Sequence, residues 1–376
     1  MRLPSFLGMA AAALDRFGEL DLAVIGAGSV GRRAALEAAR LQPGALRICD
    51  PGRIKDESLL THDVLPAEIG KSKAASAGRA AKAVSPRTRV LVHEGRLQDL
   101  SPAAFASTTL AVLATDNLSA EVAAAQLCLH LGIPLVQGSV HGESLTAQAR
   151  FFANRDAAGP CPACEFGPEE LDHLGRESVF SCSGGANEAS IRTLPTLSAG
   201  FLCSLAADLA LTQVVRHLLG LGQPVADTLV HWSGYTHATR VVRLRRNPEC
   251  PCEHLWWTRV RAPAALAAST LRSLARAAGG DPGTRSGSLA YTVDDLSYFP
   301  SASCCGEAQV VRRFGPAGGD LGPCRRCDRP LWGGAFHGLR TVPASGVDLD
   351  VTLDELGAGA AEFVVVHDGE RRFLVC

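Results

Sequence analysis

Cysteine recurs in close pairs along this chain: Cys161-Pro162-Ala163-Cys164, Cys250-Pro251-Cys252, Cys304-Cys305 and Cys324-Arg325-Arg326-Cys327. Thiolates two residues apart can hold one side of a tetrahedral zinc, and a second pair from further along the chain can close it. The expected chemistry is a structural zinc on Cys161, Cys164, Cys250 and Cys252, with His254 able to replace Cys252. A second zinc is expected on Cys304, Cys305, Cys324 and Cys327, in a small ribbon. Redox work by a Cys-x-x-Cys pair and unliganded thiols are the alternatives, and the adjacent Cys304-Cys305 is an awkward ligand pair. A separate chemistry is written in Gly26-Ala27-Gly28-Ser29-Val30-Gly31, which lets backbone amides at the start of a helix approach phosphate, where the helix dipole favours negative charge. Asp50 lies about 20 residues after Gly31, where a nucleotide fold places the carboxylate that holds a ribose. On these residues alone NAD is the default ligand, and glycines needed only for close packing are the plain alternative.

The elements that must position these residues follow from hydrophobic period. Leu20 to Ile25 reads as a strand, the stretch to Leu41 as a helix, and Ala45 to Asp50 as a second strand. Gly70 to Val84 and Leu118 to Leu131 have helical spacing, whereas Arg89 to His93, Leu110 to Thr115 and Pro134 to Val140 read as strands. Strands separated by helices imply an α/β fold, a Rossmann-like parallel sheet with flanking helices and right-handed crossovers. After Phe152 glycine and proline cluster around the cysteines up to Gly185, which predicts a long irregular segment. A helix over Thr196 to Leu221, strands at Thr228 to Trp232 and Thr239 to Leu244, and a helix over Ala262 to Ala278 complete the large part.

Gly279-Gly280-Asp281-Pro282-Gly283 is the clearest linker signal, so the expected domains are 1–279, the nucleotide-type domain with its zinc, and 280–376, a small α+β domain with the second zinc. The end of the chain reads as a hairpin around Asp368-Gly369, preceded by a short helix capped by Thr352 and Glu355. Composition bounds the function. The 376 residues are 47% hydrophobic and 20% charged, with a formal charge of -1, a globular balance with no general field for nucleic acid or an anionic membrane. No uncharged apolar run reaches the ~18 residues of a membrane span, and the first residues lack a leader pattern. A cytoplasmic protein is expected.

The ordered set Gly26-Ala27-Gly28-Ser29-Val30-Gly31, Asp50, Gly70-Lys71-Ser72-Lys73-Ala74, Ala114-Thr115-Asp116-Asn117, Cys161-Pro162-Ala163-Cys164 and Asn247-Pro248-Glu249-Cys250 resembles the ThiF/MoeB/HesA family, the E1-like activating enzymes of ubiquitin-like and sulfur-carrier proteins. The resemblance implies an ATP- and Mg2+-dependent adenylyltransferase that activates the C-terminal carboxylate of a carrier protein with a Gly-terminated tail, working as a homodimer. It places Gly26, Gly28, Gly31, Asp50, Lys73, Asp116 and Asn117 around the nucleotide. Asp116, after a strand, is suited to Mg2+, and Lys73 to phosphate. Their bland rivals are a helix cap for Asp116 and a solvated lysine for Lys73. The resemblance also marks Cys182, in a Gly-flanked loop, as the position of a reactive thiol that accepts the acyl group; a spare ligand or inert thiol is the alternative.

One departure stands out. Relatives carry Asn-Leu-x-Arg-Gln or Asn-Leu-x-Arg-His where this chain has Ser58-Leu59-Leu60-Thr61-His62. Threonine cannot replace the fork of donors that arginine offers phosphate. Arg32, Arg33 and Arg53 are the candidates to compensate, and Arg2 and Arg16 are the only candidates for an arginine donated across a dimer. Three functions therefore stand in order: an active adenylyltransferase, a catalytically impaired binding or scaffold protein with the same fold, and an NAD-dependent oxidoreductase.

Overall fold

The structure, a computed structural model, describes residues 11–181, 198–222, 226–280, 289–332 and 338–376. The chain divides into two compact units, Met1–Leu100 with Ser107–Leu255, and Ser101–Ala106 with Trp256–Cys376.

In the first unit, helix α1 (Ala11–Glu19) leads into β1 (Asp21–Ile25), whose five residues are all buried. Burial on both faces marks β1 as a central strand, and it pairs in parallel with β2 (Ala45–Cys49) on one side and β4 (Leu110–Leu113) on the other. Between them run α2 (Ser29–Arg40), α3 (Lys73–Val84) and the outer strand β3 (Arg89–His93). After β4 come α4 (Leu118–Leu131), β5 (Leu135–His141) and β6 (Thr146–Phe152), then α5 (Pro168–Ser181), α6 (Gly200–Leu219), β7 (Thr228–Ser233) and β8 (Thr239–Arg243). The sheet order is β3-β2-β1-β4-β5-β6-β7-β8. It is parallel through β5 and antiparallel from β5 to β8. The predicted strand over 89–93 and helix over 118–131 match residue for residue. The predicted irregular segment differs, because α5 occupies part of it.

By length and composition α6 is apolar enough to cross a membrane. Its apolar side is used otherwise: Cys203, Ala206, Ala207, Ala210 and Val214 are buried in one cluster with Ala34, Ala38, Ala147 and Ala149. Small residues on α2, α6 and β6 let the helices lie close to the sheet, and Gly138 of β5 faces the Ala206 carbonyl, where a Cβ would sit 3.4 Å away.

The second unit has its own core around Tyr291, Leu274, Val364, Val366 and Phe373 and a sheet of order β15-β10-β16-β17-β9. Its elements are β9 (Trp257–Val260), α7 (Leu271–Ala277), β10 (Leu289–Val293), β11 (Ser297–Cys304), β12 (Glu307–Gly315), β13 (Asp320–Pro323), β14 (Pro330–Trp332), β15 (Val342–Pro343), β16 (Val364–Asp368) and β17 (Arg371–Val375). The expected boundary at 279–283 is thus displaced to Leu255/Trp256. The reason is that β9 pairs in parallel with β17 and α7 buries Leu271 and Leu274 in this core. The terminal hairpin forms with Asp368 opposite Arg371. Thr352 and Glu355 exchange the expected capping-box hydrogen bonds, but around a turn.

Candidate nucleotide crevice and cysteine centres

The glycine turn leaves the carboxyl end of β1. Gly26 has φ +90, and a Cβ there would meet the Ala114 carbonyl oxygen at 2.5 Å; one on Gly31 would meet the Gly26 carbonyl at 1.8 Å. Both glycines are therefore required by backbone packing. Gly28 is different. A Cβ on it would find only His62 Nε2, at 3.9 Å, so open space lies above the residue that precedes the first turn of α2.

Asp50 follows β2 and is buried. Its carboxylate accepts the Ala27 amide at 2.6 Å through Oδ2 and the Gly52 amide at 2.6 Å through Oδ1. It thus ties the glycine turn to the chain after β2, while each oxygen keeps a lone pair for a further donor. Lys73 opens α3 behind the N-cap Ser72, and among the described residues its ammonium has no hydrogen-bond or ion-pair partner. Asp116 follows β4 and is exposed. The helix cap, the rival role for Asp116, belongs to the next residue: Asn117 Oδ1 accepts the Ala120 amide at 2.8 Å, which uses one lone pair of a side chain that the resemblance assigns to nucleotide. Among the described residues no hydrogen bond or salt bridge occupies the Asp116 carboxylate.

His62 is the residue that the sequence motifs leave out of the site. Its Nδ1 lies 3.0 Å from Thr61 Oγ1, and its Nε2 is buried without a partner among the described residues. Burial, with the charges of Lys73 and Arg32, lowers its pKa to about 4, against the opposing charges of Asp50 and Asp116. A signal is present in the sequence, since His62 occupies the last position of the altered Ser58 to His62 segment. Glu121, in the first turn of α4, is a second omission: burial raises its pKa to about 7, although Gln137 donates to it at 2.9 Å and lowers it.

The candidate compensating arginines are already engaged. Arg32 is buried and donates to the Asp63 carbonyl at 2.6 Å and to Ser76 Oγ at 2.7 Å, with Glu68 at 3.4 Å. Arg33 pairs with Glu37, Arg53 donates to the Gly70 carbonyl, and Arg16 donates to the Leu218 carbonyl of its own chain. Arg2 and Cys182 lie outside the described residues.

The first cysteine centre corrects the expected ligand set. Cys161, Cys164, Cys250 and His254 place one ligand atom each within 4.8 Å of one another, whereas the Cys252 thiol points at the Val122 carbonyl, 3.8 Å away. The one-residue spacing of Cys250 and Cys252 sends the second thiol into the apolar contact with α4, and the chain brings His254 round instead. Sulfur separations of 3.8 Å for Cys161 to Cys164 and 3.6 Å for Cys161 to Cys250 suit the edge of about 3.8 Å that a tetrahedron of roughly 2.3 Å Zn–S bonds requires. His254 Nε2 is 3.5 Å from Cys164 Sγ, and burial lowers the pKa of its imidazole, which favours the neutral, ligating form. The centre packs on Ala125 and Leu129 of α4, and Gln126 clamps Glu253 through both its amide atoms. It therefore braces the helix whose start carries Asp116. The second centre gathers Cys304, Cys305, Cys324 and Cys327.

Against known proteins, a sequence model of the ThiF family matches residues 3–252. The sulfur carrier protein adenylyltransferase of Thermus thermophilus is 26% identical over 247 residues, 63% of this chain and 83% of that protein. The molybdopterin-synthase adenylyltransferase of Escherichia coli is 26% identical over 229 residues, 60% of this chain and 84% of that one. The probable adenylyltransferase/sulfurtransferase MoeZ of Mycobacterium tuberculosis is 26% identical over 240 residues, 61% of this chain, and the match spans 55% of its length. Residues 256–376, the bulk of the second unit, lie beyond the residues that the family model matches.

Proposed function

We infer the activity from one premise: this chain belongs to the ThiF family. It is an ATP-dependent adenylyltransferase that activates the C-terminal carboxylate of a sulfur-carrier or ubiquitin-like protein. The observation that carries this reading is that, among the described residues, the Asp116 carboxylate, the Lys73 ammonium and the buried His62 Nε2 have no partner, while the charges of Lys73 and Asp116 act on His62, the side chain that faces Gly28.

Each group has a task in the reaction. The carrier carboxylate attacks the α-phosphorus, the bond to the bridging oxygen breaks, and pyrophosphate leaves. Such a transfer is governed by positioning and by neutralising the phosphate oxygens. The amides at the start of α2 meet the phosphates, Asp50 takes the ribose on its spare lone pairs, and Lys73 supplies a cation. His62, with Nδ1 facing the Thr61 hydroxyl, is able to donate from Nε2 in the tautomer where Thr61 donates to Nδ1. This donor stands in for part of what the missing arginine would give. Asp116 would hold Mg2+, which when bound supplies further charge neutralisation. Cys182 is the acceptor for a thioester, its thiolate displacing AMP from the acyl-adenylate. Zinc on Cys161, Cys164, Cys250 and His254 is structural. The family supports a homodimer and a cytoplasmic setting.

The test is carrier-dependent ATP–pyrophosphate exchange by the full chain with a Gly-terminated carrier. Asp116→Ala is expected to lower exchange by at least ~100-fold, the scale of losing one key charge stabiliser. The engaged state of Arg32, Arg33 and Arg53 favours the impaired reading as the second one: ATP binding without exchange in the unmodified chain would establish it.

A further inference from the structure

The second cysteine centre lies outside the residues that carry the family likeness, and its geometry stands by itself. β11 and β12 form one hairpin and β13 and β14 another. The base of the first is anchored by Tyr298 and Phe314 in the core of the unit, but the tips share only a small cluster of Phe299, Ala302, Leu321, Cys324 and Leu331. Among the described residues, β13 pairs with β14 at Asp320 with Trp332 and at Pro323 with Pro330, across an irregularity. A two-stranded hairpin of this length is marginal unaided, and so small a core is the situation in which natural modules add a metal or a disulfide.

The four thiols meet at these tips. Cys304 pairs with Glu307 at the end of the first hairpin, so Cys305 and Gly306 are its two loop residues, with φ of +56 and +79. Two positive φ values in succession favour Asn-Gly or Gly-Gly. Cysteine accepts the left-handed conformation there, and the result is that two adjacent cysteines, otherwise on opposite sides of a strand, bring their sulfurs to 3.7 Å. Cys304 Sγ is also 3.6 Å from Cys327 Sγ, and all four sulfurs lie within 4.8 Å of one another. These separations match the tetrahedral edge for zinc and are too long for an S–S bond of about 2.05 Å. The outer contacts are also set. Gln309, on β12, donates from Nε2 to Cys324 Sγ at 2.9 Å and accepts the Arg325 amide on Oε1 at 3.1 Å, which fixes the Cys324 turn to the first hairpin in the way that hydrogen bonds around a metal orient its ligands.

We propose that Cys304, Cys305, Cys324 and Cys327 form an all-thiolate zinc site that joins the tips of the two hairpins. Gln309 is its positioning residue. Cys305 is exposed, so occupancy can be read by chemistry as well as by metal content. Purified full-length chain is expected to carry two zinc ions, one for each centre. Cys324→Ser with Cys327→Ser is expected to lose one of them, and Cys161→Ser with Cys164→Ser the other, so failure at one centre is distinguishable from failure at the other. Independently of any variant, alkylation of Cys305 in the zinc-loaded chain is expected to accelerate at least ~10-fold when a chelator is added, as ligation ends. A zinc content unchanged by Cys324→Ser with Cys327→Ser, a disulfide between two of these cysteines in the purified chain, or alkylation of Cys305 that is indifferent to chelator would overturn the assignment.

Discussion

Among single residues, His62 decides how the crevice meets phosphate. Its ring is held neutral without ligand, with a pKa lowered to about 4 by burial and by Lys73 and Arg32. Phosphate oxygens beside Nε2 would favour the charged form and raise that pKa. By linkage, nucleotide binding then takes up a proton, and affinity rises as pH falls from neutrality towards 4, in the window between the raised value in the complex and the lowered value without ligand. We expect His62→Ala to weaken MgATP binding by roughly 10-fold, the loss of one hydrogen bond to a charged group. His62→Gln, which keeps a donor, should retain affinity but lose the rise on acidification. Titration calorimetry across pH checks both. Equal pH dependence in the unmodified chain and in His62→Gln would remove His62 from the phosphate site. The glycines, Asp50 and Lys73 are legible in the sequence as candidates because motif spacing singles them out. His62 is legible only as the last position of the altered Ser58 to His62 segment, because its role depends on which atoms are left without partners. His254 is legible only as a substitute for Cys252, since the direction of the Cys252 thiol is set by its contact with α4.

Among elements, the glycine turn separates two requirements that a motif merges. Gly31→Ala would press a methyl group against the Gly26 carbonyl, 1.8 Å from the built position. It is expected to destabilise the first unit by several kcal/mol, on the scale of ~2–4 for severe overpacking. Gly28→Ala has room, with nothing nearer than His62 at 3.9 Å. It should shift thermal unfolding little while weakening ATP binding, because the methyl group occupies the crevice. Thermal denaturation beside ATP titration distinguishes the two, and a large unfolding shift in Gly28→Ala would contradict the open crevice. Elements also show where sequence patterns fail. β6 escapes them because Thr146-Ala147-Gln148-Ala149-Arg150 lacks the run of branched residues that favours strands, although its neighbours β5 and β7 pair along its length. α5 is hidden by the surrounding glycines and prolines, yet Pro168 at its start and Glu169 and Glu170 in its first turn are ordinary helix-opening signals.

In the whole molecule, two units fold around separate cores, and the family likeness belongs to the first. A division of the chain is legible from its linker signal and its length, but the place of the division is not: β9 is claimed by β17 from the far end of the chain, a pairing that no local pattern announces. The enzymatic reading requires that the first unit bind magnesium and adenine nucleotide at the Gly28 crevice through Asp116. Calorimetric titration of the full chain with MgATP tests this most directly. Saturable binding is expected that NAD(H) does not displace and that Asp116→Ala weakens by at least ~10-fold, the loss of a charge-assisted contact. Undiminished binding in Asp116→Ala, or displacement of ATP by NADH, would contradict it.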